Sequence, residues 1–214
     1  MTTAARLLIA AAAALALADW IAVAPRLRGK TVEYLCKPGT MLFLIVAALA
    51  LHPEDGFQRV AFVVALSLSL AGDVLLMLPS DAFVPGLAAF LGAHLAYVAG
   101  FSIEGGSAWG LAVALPALAV ASATLGRRVL VAVRRGAHPS LVLPVGAYMT
   151  VISVMVAFAA RTGDGVAIAG AVAFFASDSL IAWDRFVRPF DWARPAIMVT
   201  YHLAQGALVL SLVR

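Results

Sequence analysis

Asp73 and Asp178 stand about 105 positions apart, each inside an apolar run with few other ionisable groups. Two carboxylates brought together in a low-dielectric site cannot both ionise cheaply, so one keeps its proton at neutral pH while the other stays charged. The protonated member is then a general acid, and the ionised one a base or a cation stabiliser. A structural alternative stands beside this, in which each Asp caps a helix break or pairs with Lys37 or Arg185. His94 and His202 could join the two carboxylates as a metal-binding set. No tight spacing such as His-Glu-x-x-His supports a metal, however, and no Gly-x-Ser-x-Gly elbow supports a serine hydrolase. The single cysteine, Cys36, has no disulfide partner and reads as a small buried apolar residue.

The elements that must position these groups follow from composition. Of 214 residues, 64% are hydrophobic and 12% charged, with a mean hydropathy of +1.01. Soluble chains are far more polar, so a water-soluble enzyme, a disordered chain and a disulfide-stapled secreted module are all excluded. A bilayer core takes about 20 helical residues to cross. Apolar runs of that order span residues 4 to 24, 34 to 51, 60 to 78, 83 to 103, 109 to 125, 140 to 160, 166 to 186 and 194 to 213. The expectation is an all-α membrane protein with about eight transmembrane helices, residues 1 to 214 forming one integral membrane domain. The first run imitates a signal peptide, but it continues through Trp20 to Val23 into a basic loop, as a retained helix would.

At 1.5 Å per residue, Asp19, Asp73, His94, Asp178, Tyr201 and His202 all fall roughly 7 to 16 Å from the same side, with Lys37 shallower. Randomly placed polar residues would scatter over both leaflets. Convergence implies a polar cavity opening toward one side, and each ionisable group in it is a functional candidate. Helical spacing puts Phe90, His94, Tyr97 and Phe101 on one face, Tyr201 with Gln205 on another, and Ser69 one turn before Asp73.

The polar residues also repeat. Gly72-Asp73-Val74-Leu75-Leu76 resembles Ser177-Asp178-Ser179-Leu180-Ile181, His94-Leu95-Ala96 recurs as His202-Leu203-Ala204, and Pro38-Gly39 is echoed by Pro144 and Gly146. The offsets are about 105, 108 and 106 residues, four helices apart, which predicts parallel half-repeats of about residues 1–106 and 107–214 around a central polar cavity. The first and fifth helices show no match. Asp73 and Asp178 would then be symmetry mates facing one another across the seam.

The balance of 15 Lys and Arg against 11 Asp and Glu gives +4, yet the basic residues fall between apolar runs, which argues for topology and against nucleic acid. Ten lie on the odd-numbered connections: Arg26, Arg28, Lys30, Arg127, Arg128, Arg134, Arg135, Arg185, Arg188 and Arg194. Four lie on the other side: Arg6, Arg59, Arg161 and Arg214. The excess predicts cytoplasmic odd loops, both termini outside, and a site toward the cytoplasmic half of a bacterial plasma membrane.

Taken in order, Lys37-Pro38, Gly72-Asp73, His94-Leu95-Ala96-Tyr97, Ser177-Asp178 and Tyr201-His202-Leu203-Ala204-Gln205 resemble the YhhN-like lysoplasmalogenase family of integral membrane proteins, over nearly the whole chain. The resemblance implies hydrolysis of the vinyl ether bond of an alkenyl lysophospholipid, a substrate drawn from the membrane, to a fatty aldehyde and glycerophospho-ethanolamine or glycerophosphocholine. It carries over Lys37, Asp73, His94, Tyr97, Ser177, Asp178, Tyr201 and Gln205. Such a bond breaks when its β-carbon is protonated, an oxocarbenium ion forms, and water captures it as a hemiacetal that collapses. A proton donor and a nearby negative charge suffice, with no metal or organic cofactor, as in glycosidases. Asp178, the deeper carboxylate, is the expected acid. Tyr201 and Gln205 are expected to position water or the carboxylates. Lys37 is expected at the lipid phosphate or paired with Glu33 or Asp19. A proton-coupled transporter of a small solute, or a lipid-binding membrane protein, is the alternative from another class.

Overall fold

The computed structural model describes residues 1–24, 30–53, 55–78 and 82–213. Arg26, Arg28 and Arg214, three of the residues used to predict topology, lie outside them. The helices in order are α1 Thr3–Ala22, α2 Lys30–Ala50, α3 Gly56–Met77, α4 Phe83–Ser102, α5 Ala108–Ala121, α6 Arg127–Arg135, α7 Val142–Thr162, α8 Gly165–Ala182 and α9 Ala193–Leu210. A π-helical turn, Ser122–Gly126, joins α5 to α6, and a second one, Trp183–Val187, extends α8. Seven of these rods have the length and hydropathy to cross a membrane, and α9 is a further long helix that carries more polar groups.

Local chemistry sets several helix starts. Thr2, Asp55, Ser107 and Asp164 each accept a hydrogen bond from a backbone N–H in the first turn that has no helical acceptor. Gly163 ends α7 at φ 73°, a left-handed conformation that a residue with a Cβ adopts only under strain. Many large apolar side chains face outward, among them Leu143 at 81% and Leu35 at 70% exposure. In water that would be an aggregation liability; in a bilayer it is the lipid-facing surface.

One expectation needs correcting here. Arg127, Arg128, Arg134 and Arg135 were expected on a connection, but they ride on α6, which continues the fifth membrane helix. Val129 and Val133, one turn apart, are buried with Val145, so this face anchors the helix while the arginines fall on its other sides.

The helices pack mainly as hairpins, α1 on α2, α3 on α4 and α8 on α9, and α4 bridges to α7. Small residues let the backbones approach. A Cβ on Gly72 would lie 2.6 Å from the Phe90 ring, and one on Gly100 would lie 2.7 Å from the Phe62 ring. These glycines set the α3–α4 spacing. Phe62 in turn packs edge-on to Tyr97 and Phe101, with centroids 5.0 and 5.2 Å away. The main core runs through α1, α2, α3, α4, α7, α8 and α9, and the polar residues are embedded in it.

Candidate active site

Asp73 sits on α3 directly after Gly72, and the close α3–α4 approach brings it to the interior with 1% of its side chain exposed. Its Oδ1 is 2.9 Å from Lys37 Nζ on α2, and its Oδ2 accepts a 2.6 Å hydrogen bond from Tyr201 on α9. Lys37 also lies 5.6 Å from the centre of the Tyr201 ring. Gln205, one turn beyond Tyr201, accepts a 2.6 Å hydrogen bond from Tyr97 of α4.

Asp178, on α8, is held differently. Its Oδ2 accepts a 2.5 Å hydrogen bond from Tyr148 on α7 and lies 3.2 Å from His94 Nε2 on α4. His94 Nε2 and the Tyr148 hydroxyl are themselves 2.9 Å apart, so the three side chains form a closed triangle. Ser177 points away from this cluster and donates to the Ile197 carbonyl at 3.2 Å, which ties α8 to α9.

No hydrogen bond joins the two carboxylates among the described residues; they are separate clusters with aromatic rings packed beside them. Phe174 touches the His94 and Tyr201 rings at 4.7 and 5.5 Å, and Phe90 touches Phe174 and Tyr201 at 6.2 and 6.0 Å. Phe90, His94, Tyr97 and Phe101 do share a buried face of α4.

An apolar cleft opens beside Asp178. Leu76, Leu87, Phe90, Ile152 and Phe186 line it, and among the described residues Asp178 is the one carboxylate in its lining, with Tyr148 beside it. Asp73 is outside this lining. The walls are of a kind that suits an aliphatic chain, and the Asp178 carboxylate in them is 12% exposed.

Lys37, with 7% of its side chain exposed, holds its ammonium against Asp73, the structural pairing weighed for that carboxylate. Glu33, the other partner considered for it, instead pairs with Arg194 at the start of α9. Asp19 is fully buried and, among the described residues, neither of its carboxylate oxygens has a hydrogen-bond partner, while His202 accepts from Trp20 Nε1 at 3.0 Å.

Tyr148 and Trp20 are the polar partners that sequence reasoning missed. Tyr148 falls outside every repeated motif and is flanked by Ala147 and Met149. The available signal was its spacing of four and seven from Ile152 and Met155, which marks the buried face of α7. Among the described residues no three His, Cys, Asp or Glu side chains converge in a way that could hold a metal ion.

Comparison with known proteins adds independent findings. The YhhN family matches residues 32–212. A Homo sapiens protein named Lysoplasmalogenase TMEM86B is 36% identical over 185 residues, covering 86% of this chain and 74% of that relative. A Mus musculus relative of the same name is 36% identical over 183 residues, covering 84% and 74%. A Mycobacterium tuberculosis protein named Lysoplasmalogenase is 39% identical over 155 residues, covering 69% of this chain and 58% of the relative. No solved structure matches.

Proposed function

The chain belongs to the YhhN family, and on that premise we propose that it is a lysoplasmalogenase, an integral multi-pass membrane hydrolase that cleaves the vinyl ether bond of alkenyl lysophospholipids. The observation that carries the reading is the placement of one carboxylate, Asp178, in the wall of an otherwise apolar cleft.

In this mechanism the alkenyl chain lies in the cleft with its double bond at Asp178. The acid transfers its proton to the β-carbon, and the electron pair of the double bond forms the new C–H bond. Positive charge develops on the former α-carbon and the ether oxygen. Water adds to that carbon, its proton returns to the carboxylate, and the hemiacetal collapses to a fatty aldehyde and the glycerophospho-alcohol. Tyr148 and His94 orient the acid through Oδ2, which leaves Oδ1 for the transfer. Asp73, paired with Lys37 and hydrogen-bonded by Tyr201, is the second carboxylate and acts on the developing cation from outside the cleft lining. Phe90, in the cleft wall, borders the developing cation. The proton given to the β-carbon is restored to the carboxylate when water adds, so the full cycle consumes only water.

A duplicated 4+4 architecture is supported by how the carboxylates are held. Asp73 takes Lys37 from the second helix of its own half and Tyr201 from the last helix of the other. Asp178 takes Tyr148 from the second helix of its half, α7, and His94 from the last helix of the other, α4. The positive residues support cytoplasmic odd loops, both termini outside and a site in the cytoplasmic half.

The test is aldehyde release from the purified full chain in detergent, supplied with an alkenyl lysophospholipid, beside Asp73→Asn and Asp178→Asn. Both variants should fold and lose turnover. Full activity in both removes the two-carboxylate mechanism, and no activity in the wild type removes the hydrolase reading.

A further inference from the structure

A lipid substrate must reach a cleft buried among helices, and α5 is unlike its neighbours in a way that bears on how. It contributes no buried residue, contains Pro116, and passes into the π-helical turn Ser122–Gly126. Proline removes a backbone donor, and a π turn shifts the hydrogen-bond register, so this rod is irregular at membrane depth, a feature that recurs at functional sites. Its ends are nonetheless fixed. At one end Gly110 is so close to α7 that a Cβ would lie 1.9 Å from the Ala160 carbonyl oxygen. At the other, α6 is anchored through Val129 and Val133.

Between these anchors, an open outer groove runs along the seam of α5 and α7, with Leu115, Leu118 and Ala119 on one side and Val154 and Ala157 on the other. Four residues, Ser122, Gly126, Met149 and Ser153, line both this groove and the inner cleft. A single layer of side chains thus separates the membrane-facing groove from the cavity that holds Asp178. Three of these residues are small. The fourth, Met149, is unbranched and flexible, and its Cε lies 2.9 Å from where a Gly126 Cβ would be. Just past the π turn, exposed Arg127 and Arg128 place positive charge at one end of the groove.

We propose that the α5–α7 seam is a lateral docking site and portal for the lipid substrate, in which the aliphatic chain lies in the outer groove with its phosphate at Arg127 and Arg128, and passes Met149 into the cleft. An amphiphile with an anionic head and an aliphatic chain matches the exposed arginines and the apolar lining together. The inference rests on the hydrolase reading for the identity of the cargo, but its geometry stands on the two cavities.

Two measurements on the full chain in lipid–detergent micelles test it. The first uses a non-hydrolysable alkyl ether lysophospholipid with a diazirine in mid-chain, and maps photo-insertion by mass spectrometry. Labelling should fall on peptides covering residues 115–130 and 146–157, and fall about tenfold when Ala119→Trp and Ala157→Trp are combined to fill the groove. Labelling confined to other helices overturns the portal, whether or not the protein is active. The second compares kcat/KM for a long-chain alkenyl substrate with that for a short-chain analogue. The ratio should drop about tenfold in the double tryptophan variant, mainly through KM. Val46→Trp, on the lipid face of α2, should leave the ratio unchanged. An equal loss on both substrates, or no loss, overturns the proposal. A wild type that labels at the seam yet hydrolyses neither substrate overturns the enzymatic reading alone.

Discussion

The Tyr148 hydroxyl donates a 2.5 Å hydrogen bond to Asp178 across the α7–α8 interface, and both side chains line the same apolar cleft. The arrangement positions an acid by a neutral donor, in a place where a second charge would be costly to bury. His94 closes the triangle from α4, so three helices must be packed correctly before the acid is oriented.

Tyr148→Phe keeps the ring and removes the donor. The expected outcome is a fall in kcat of about ten- to a hundredfold with KM close to wild type, because orientation of the acid is lost while the chain-binding walls remain. Steady-state kinetics on an alkenyl lysophospholipid check it, and a change confined to KM would show that Tyr148 serves binding instead.

Lys37 and Asp73 form a buried ion pair, so removing either partner alone leaves a charge in a medium that cannot solvate it. Lys37→Met should cost about 3–5 kcal/mol of stability. Combining it with Asp73→Leu should recover most of that loss while leaving the protein inactive. Thermal unfolding in detergent for the two singles and the double gives the coupling, and additive losses would contradict a direct pair.

Gly72→Val introduces side-chain atoms where the Phe90 ring already stands 2.6 Å from an added Cβ. Overpacking of this kind costs about 1–3 kcal/mol. Phe90 also borders the cleft, so activity should fall with stability. The melting temperature and turnover of the variant test the link, and an unperturbed melt would mean that α3 and α4 can separate freely.

Ala182 lines the cleft opposite α4 and α7. Ala182→Phe should shorten the chain that fits, raising KM for long-chain substrates about ten- to two-hundredfold over short ones. A chain-length series of alkenyl lysophospholipids reads the shift directly.

A C-terminal alkaline phosphatase fusion should be active and a C-terminal fluorescent protein dark, since the excess of positive residues toward the odd-loop side predicts that the termini lie outside. The reverse pattern would invert the topology and place the site in the other leaflet.

The helical membrane class was legible in the sequence because the partition of a segment between water and lipid depends on its own residues. Hydropathy summed over about 20 positions is a local quantity. For the same reason the polar minority stood out: Asp73, His94, Asp178 and Tyr201 were conspicuous because each is expensive in an apolar run. The reach of the fifth helix was less legible. Its apolar run stops before Arg127, but Val129 and Val133 continue a buried face that four arginines mask in any average.

Which polar residues meet was a tertiary decision. Lys37 had Glu33 four positions away and Asp19 on the adjacent helix, yet it pairs with Asp73, and Glu33 reaches 161 residues along the chain to Arg194. Asp73 and Asp178 were expected to face one another and instead head separate clusters, with the cleft opening beside only one of them. Sequence determines that a charge inside lipid must find a partner. The rotation of each helix about its axis, set by close approaches such as Gly72 against Phe90, decides which partner is in reach. Those rotations depend on side-chain volumes brought together from distant parts of the chain, and they appear only once the helices are packed.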